Sequence, residues 1–308
     1  MGKFVVAGIT QVETIVRVDK VPITYQPLTT QINSIYTGLG GDAYNESLAL
    51  RWLGDEVEFM SIIGRDHTPD DLNPPGSKIT LSTNYVVQMM EETPNCVILY
   101  DKDREKQIFE DIKDLRDKVY DMSMFAPLAG WADMVVLANA NFCRPFAVAA
   151  AEHDKKVAVN IRNFCREKEK YNRDFLDAAS ILYFSDDQLE EDPYDFIRGI
   201  SKTYGTDIII MGRGAKGVIL FDKHKGFIAD YKTVKTNEIV NTVGAGNALF
   251  ACFLHYYQET GDSVNAIKNA LLFSSYKIGY MGTSNGFMTV EQMEQWRNLI
   301  WGIRPDGL

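Results

Sequence analysis

The sequence predicts an α/β fold: a mostly parallel central sheet with helices on its faces, and a small antiparallel sheet set apart from it. Three observations lead there. Short β-branched runs are nearly continuous in apolar residues, helical spacing fills the segments between several of them, and two stretches break the alternation with period-two patterns.

Taken in order, strands are expected over residues 4–9, 134–138, 156–161, 181–184, 207–211 and 217–221, each apolar enough to be buried on both faces. Helices are expected between them over 143–153, 172–179 and 193–204, and after residue 241 over 248–258, 264–281 and 290–301. The interruptions, 13–36 and 84–109, hold alternating runs such as 86–90 and 96–100 and predict the small antiparallel sheet. Residues 67–77 contain three prolines and predict an irregular surface segment.

The 308 residues carry 42 acidic and 32 basic side chains, a formal net charge of -10 with no basic stripe, which argues against nucleic acid as a partner. The four cysteines (96, 143, 165, 252) form no CxxC pair and the four histidines no HxxxH spacing, so buried free thiols are expected and no zinc site. The opening MGKFVVAGIT is too short in apolar residues for a signal peptide or a membrane span, and Val6 stands where a myristoylation motif needs Ser or Thr. A cytoplasmic protein without a membrane partner is expected.

The stretch NTVGAGNALF (241–250) carries the chemistry. Gly244 and Gly246 permit a tight turn and close approach of a ligand, and Ala248, Leu249, Ala251, Cys252 and Leu254 continue at helical spacing. The loop's N–H groups therefore stand at a helix N-terminus, where unpaired donors and the helix dipole favour an anion. By itself a GxG before a helix is equally a packing turn.

TVGAGNALFACFLH resembles the C-terminal signature of the ribokinase-like (PfkB) sugar kinases, Asp-Thr-x-Gly-Ala-Gly-Asp-x-Phe. GLGGDAYNESLALRWLG (38–54) resembles that family's other signature. Smaller similarities fall between them in the family's order: GITQVETIVRVDKVP (8–22), SIIGRDH (61–67), VNIR (159–162) and GRGAKG (212–217). The resemblance implies a ribokinase-like three-layer α/β/α sandwich as one domain over 1–308. It also implies a small antiparallel β lid with strands from about 13–36 and 84–110. It further implies transfer of a phosphoryl group from ATP to a hydroxyl of a sugar or nucleoside, with Mg²⁺ and in many members a monovalent cation such as K⁺. Lid-mediated homodimers are common in that family, so a homodimer is an expectation by analogy.

Carried over residue by residue, the resemblance places Gly244, Ala245 and Gly246 in the anion hole and Asn247 at the position of the catalytic base. Substrate contacts fall to Glu13, Gly40, Gly41, Asn45 and Arg162, and nucleotide contacts to Ser185, Asp186, Gly212, Gly214, Gly217 and Gly282. Asp186 is expected to reach Mg²⁺ through water, and Asn241 to border the monovalent cation. Other readings stay open: Asn45 as a helix cap, Arg162 as a structural ion pair, 282–286 as a plain turn, and the acidic run 186–192 as a solvated face.

The departures from the family pattern concentrate at the chemistry. Asn247 replaces the family's base Asp, and an amide has no lone pair basic enough to take a hydroxyl proton. A positioned general base contributes about 10²–10⁴ in rate. Asn241 replaces an Asp at the cation turn, Glu13 lengthens the sugar-binding Asp, Ser185-Asp186 replaces Asn-Glu, and Gly212 replaces a Thr. Among substitute bases, Asp42 reads as an exposed loop carboxylate, Glu238 as solvent-facing and His255 as core or helix surface. Two functions follow: a slow or atypical ATP-dependent sugar or nucleoside kinase, or an inactive pseudokinase that senses a sugar or nucleotide.

Overall fold

The computed structural model describes residues 1–73, 76–103 and 105–302. Pro74 and Pro75 of the proline-rich segment lie outside the described residues. In chain order the elements are β1 (Lys3–Ala7), β2 (Gln11–Arg17), β3 (Ile35–Gly40), α1 (Asp42–Trp52), β4 (Glu56–Gly64), β5 (Ser82–Met90), β6 (Asn95–Tyr100) and β7 (Lys106–Asp111). They continue with α2 (Ala126–Trp131), β8 (Met134–Ala138), α3 (Arg144–Glu152), β9 (Lys156–Asn163), α4 (Glu169–Ala178), β10 (Ile181–Ser185) and α5 (Pro193–Tyr204). The chain closes with β11 (Ile208–Gly212), β12 (Val218–Asp222), β13 (Phe227–Tyr231), α6 (Ala245–Thr260), α7 (Ser263–Lys277) and α8 (Val290–Trp301).

Nine strands form the main sheet in the order β13-β12-β11-β10-β9-β8-β1-β4-β5. From β11 to β5 every pairing is parallel, and β12 and β13 add an antiparallel edge. The three layers follow from alternation within the strands. Phe4, Val6, Met134, Val136, Ile208 and Ile210 face a core built with α1, α6, α7 and α8. Their neighbours Val5, Ala7, Val135, Leu137, Ile209 and Met211 face a second core built with α2, α3, α4 and α5. Both faces being covered, these strands read as unbroken apolar runs.

A four-stranded sheet, β3-β2-β6-β7, stands apart as the lid. Its β2–β3 and β6–β7 pairings are antiparallel and its central β2–β6 pairing is parallel. Residues 86–90, expected here, instead belong to β5, which pairs in parallel with β4 at the edge of the main sheet. An edge strand with one covered face alternates as a lid strand does, so period alone does not tell them apart. β4 is absent from the expected strands because Glu56 and Glu58 break its apolar run.

α7 ends at Lys277 rather than at 281. There the chain turns to lie along the segment leading into α6, and Val240 and Asn241 both donate their N–H groups to the Ile278 carbonyl. Cys96, Cys143, Cys165 and Cys252 are free thiols. No described helix is long and apolar enough to cross a membrane.

Candidate functional site

The carboxyl ends of β1, β8, β9 and β10, the N-termini of α1 and α6, and the inner face of the lid enclose a cavity of about 700 Å³. This is where an open parallel sheet gathers loops that bind ligands. Glu13, Gly41, Asn45, Arg162, Ser185, Gly244, Gly246 and Asn247 all line it. Gly40 lies just behind Glu13; Ala245 opens α6, and Asn241 sits in the loop before it.

Gly244 caps α6 in the left-handed region, φ 76°. A Cβ there would come within 2.8 Å of the Thr283 carbonyl oxygen, and one at Gly246 within 2.4 Å of the Tyr183 hydroxyl. Gly244 is thus required by backbone shape and close neighbours, and Gly246 by its close neighbour alone. The helix closes its first turn only at Ala248, whose N–H reaches the Gly244 carbonyl; Ala245 N–H is taken by the Thr242 carbonyl (3.4 Å), while Gly244, Gly246 and Asn247 line the cavity.

Asn247 is held from behind. Asn160 accepts from the Arg162 backbone N–H with its Oδ1 (2.9 Å), which fixes its Nδ2 as the donor to Asn247 Oδ1 (3.0 Å) and to Glu46 Oε1 (2.6 Å). Asn247 thus lines the cavity with its amide oxygen engaged by Asn160, where the family pattern has a carboxylate. Glu46 is fully buried and its second oxygen has no partner. Burial, reinforced by the nearby Asp42 charge, pushes its carboxyl well above the usual range.

At the lid end, Glu13 accepts from the Gly41 N–H (3.0 Å), Gln11 Nε2 (2.9 Å) and the Thr283 hydroxyl. It packs so closely on Gly40 that a Cβ there would fall 2.2 Å from its carboxyl carbon. Asn45 lies a turn inside α1 and is not its cap; its Oδ1 accepts from Thr283 (3.3 Å). Asp42, expected as an exposed loop carboxylate, is buried as the first residue of α1. Its Oδ2 accepts two bonds of 2.9 Å from Arg162, and its Oδ1 accepts from Ile9 N–H (3.0 Å). Arg162 also bonds Glu110 on β7, joining the sheet to the lid. Glu238 is exposed, and His255 is buried against Asp55 (2.7 Å).

On the nucleotide side, Ser185 donates to Asn163 Oδ1 (2.9 Å) and Asp187 Oδ2 (3.0 Å). Asp187 lines the cavity and pairs with Lys106 of the lid (3.3 Å), whereas Asp186 points to Arg213 (3.4 Å). Asp186, Gly212, Gly214, Gly217 and Gly282 stand outside the cavity wall. Gly217 has a local reason to be glycine: φ is 97° and a Cβ would meet the Tyr231 carbonyl oxygen at 2.0 Å. Among the described residues no cluster of three His, Cys, Asp or Glu could hold a metal by protein ligands alone.

Asn241 is buried and spends its amide locally, donating to the Tyr280 carbonyl (3.0 Å) and accepting from Val243 N–H (3.0 Å). Beside it lies a residue that no motif marks. Lys277 is completely buried, and its ammonium donates to the carbonyls of Val243 (2.5 Å) and Gly282 (2.6 Å). Sequence reasoning gave no role to Glu46, Asn160, Tyr183, Asp187, Lys277 or Thr283, although Glu46, Asn160, Asp187 and Thr283 lie in the stretches 38–54, 159–162, 186–192 and 282–286 that it singled out; only the fold brings them together.

The pfkB family carbohydrate kinase model matches residues 1–290. A deoxyribokinase of Salmonella typhi is 32% identical over 111 residues, which is 35% of each protein, so that match spans about a third of the relative's length. A nucleoside kinase of Methanocaldococcus jannaschii is 24% identical over 278 residues, 85% of each. Among solved structures, a microbiome-derived acarbose kinase, Mak1, superposes with a TM-score of 0.82 at 18% identity, covering 96% of this chain and 98% of that one.

Proposed function

The chain belongs to the pfkB family of carbohydrate kinases, and on that premise we propose that it moves the γ-phosphoryl group of ATP to a hydroxyl of a sugar or nucleoside, and does so slowly. One observation carries the second half: residue 247 is an amide in the cavity wall whose oxygen accepts from Asn160 Nδ2. That group orients a hydroxyl and cannot deprotonate it. The first half rests on the Gly244–Gly246 turn at the start of α6, where the N–H groups of Gly244 and Gly246 suit the charge that develops on a transferred phosphoryl.

In this reading Glu13 and Asn45 position the acceptor sugar, and the lid excludes water above it. Mg²⁺ arriving with the nucleotide would meet Ser185, Asp186 and Asp187 and would offset phosphate charge. Both carboxylates already hold a cationic side chain, which suits a hydrated ion better than direct ligation. A pseudokinase that binds without turnover is the second reading, favoured by amides at both 241 and 247 on an intact glycine cradle.

A coupled ADP-release assay over a panel of sugars and nucleosides, paired with calorimetric titration of ATP, tests the proposal. Slow turnover of at least one acceptor supports it. ATP binding with no turnover on any acceptor moves the conclusion to the pseudokinase, and absence of ATP binding overturns both.

A further inference from the structure

The backbone under the glycine loop is held by a charge that belongs to the chain itself. Val243 immediately precedes Gly244, and the Thr283 carbonyl lies against Gly244 from the other side. Lys277 bridges these segments, with its ammonium on the Val243 carbonyl at 2.5 Å and on the Gly282 carbonyl at 2.6 Å. It is the last residue of α7, where the helix dipole favours a cation, and it is sealed from solvent.

Buried ammonium groups are rare because desolvation is expensive, and one is retained where fixed partners repay it. Here burial pulls the ammonium down to about 7, while Glu13 acts in the opposite direction. Glu13 is tied to the same turn through Thr283.

A monovalent cation bound beside Asn241 would need oxygens that this structure has already committed. The carbonyls of Val243 and Gly282 accept from Lys277, the Tyr280 carbonyl accepts from Asn241 Nδ2, and Asn241 Oδ1 accepts from Val243 N–H. Asn241 also brings no negative charge of its own. The residues present therefore do not fit a bound K⁺. They fit an ammonium, which carries the same charge, is of similar size and prefers carbonyl oxygens.

We propose that Lys277 is a built-in replacement for the monovalent cation: a positioning residue that ties 243 to 282 and, when protonated, sets a positive charge beneath the anion-binding loop. The protein then needs no potassium to form its nucleotide site. That last clause rests on the loop's binding ATP, as proposed above; the bridging role does not.

The experiment compares ATP titrations and thermal unfolding in potassium chloride and in tetramethylammonium chloride at equal ionic strength. For the wild type, ATP affinity is expected to differ by less than about twofold between the salts, and the unfolding temperature not to respond to potassium. Lys277→Ala opens a small polar cavity. It is expected to bind ATP about tenfold or more weakly in tetramethylammonium, with recovery on adding potassium, ammonium or ethylammonium, and to gain unfolding temperature from the same ions. Lys277→Met fills the space without charge and is expected to lose affinity with no recovery.

A wild type whose ATP affinity or unfolding temperature rises steeply with potassium overturns the proposal, and this arm needs no variant to fold. So does Lys277→Ala binding ATP as the wild type does without any small cation. If no ATP binds to any form, the kinase reading fails, and cation-specific stabilisation of Lys277→Ala alone still decides the role of Lys277.

Discussion

Asn160 Nδ2 donates to Asn247 Oδ1 across 3.0 Å, joining residues 87 positions apart and engaging the amide oxygen of Asn247. An aspartate in its place would keep the Asn160 bond on one oxygen and offer the other as a base. Asn247→Asp is accordingly expected to raise turnover by about 10² or more, in the range of a restored general base. Single-turnover kinetics with ATP and the best acceptor measure it; an unchanged rate would show that proton removal does not limit this protein.

Gly246 has no room for a side chain. Gly246→Ala would set its Cβ 2.4 Å from the Tyr183 hydroxyl, so α6 or β10 must move, and ATP affinity is expected to fall by about tenfold or more. Adding Tyr183→Phe removes the nearest clashing atom and should recover part of that loss. If the double variant binds no better than the single one, the Tyr183 contact is not what fixes the loop.

Glu46 sets a pH signature. Its carboxyl stays neutral in the fold well above the ordinary glutamate value of 4.5, so the folded protein holds this proton more tightly than the unfolded chain. The contribution is fully present below about 4.5 and is lost as pH climbs toward the folded value. Glu46→Gln does not titrate. The stability of the variant relative to the wild type should therefore increase as pH rises above 4.5, and urea unfolding at a series of pH values reads it. A difference that is constant with pH would mean that Glu46 is not held neutral.

Asp55 anchors the start of the chain, accepting from Gly2 N–H (2.8 Å) and His255 Nδ1 (2.7 Å), with both side chains sealed from water. His255→Ala leaves a buried carboxylate short of a partner and is expected to cost about 3–5 kcal/mol, measured by chemical denaturation. A loss under about 1 kcal/mol would show that the pair carries no stability.

What could be read from the sequence depended on how many residues shared a signal. The strands of the sheet centre announced themselves because both faces are covered, so each is apolar throughout. β4 was lost to Glu56 and Glu58, and 86–90 went to the wrong sheet because a half-covered edge strand has the lid's own periodicity. Within the cavity wall, glycines in motifs were legible and their supports were not. Glu46 follows Asp42 and Asn45 on one helix and Lys277 is a single charge ending an apolar one, and both are residue types ordinarily read as solvent-facing. Their partners Asn160, Val243 and Gly282 are chosen by topology and not by spacing. Asp42 was misread for the same reason, since its burial depends on Arg162, 120 residues away.

Arg162 grips Asp42 with one edge of its guanidinium and Glu110 with another, from a backbone held at φ 63° where few side-chain-bearing residues settle. That grip makes the resting molecule its own competitor. A sugar arriving under the lid meets polar groups that are already content with each other, and it gains only the difference between new bonds and old ones. Volume is then a poor guide to what enters. On the sugar-kinase reading proposed above, the molecules that win are those whose hydroxyls can trade places with a carboxylate at Arg162.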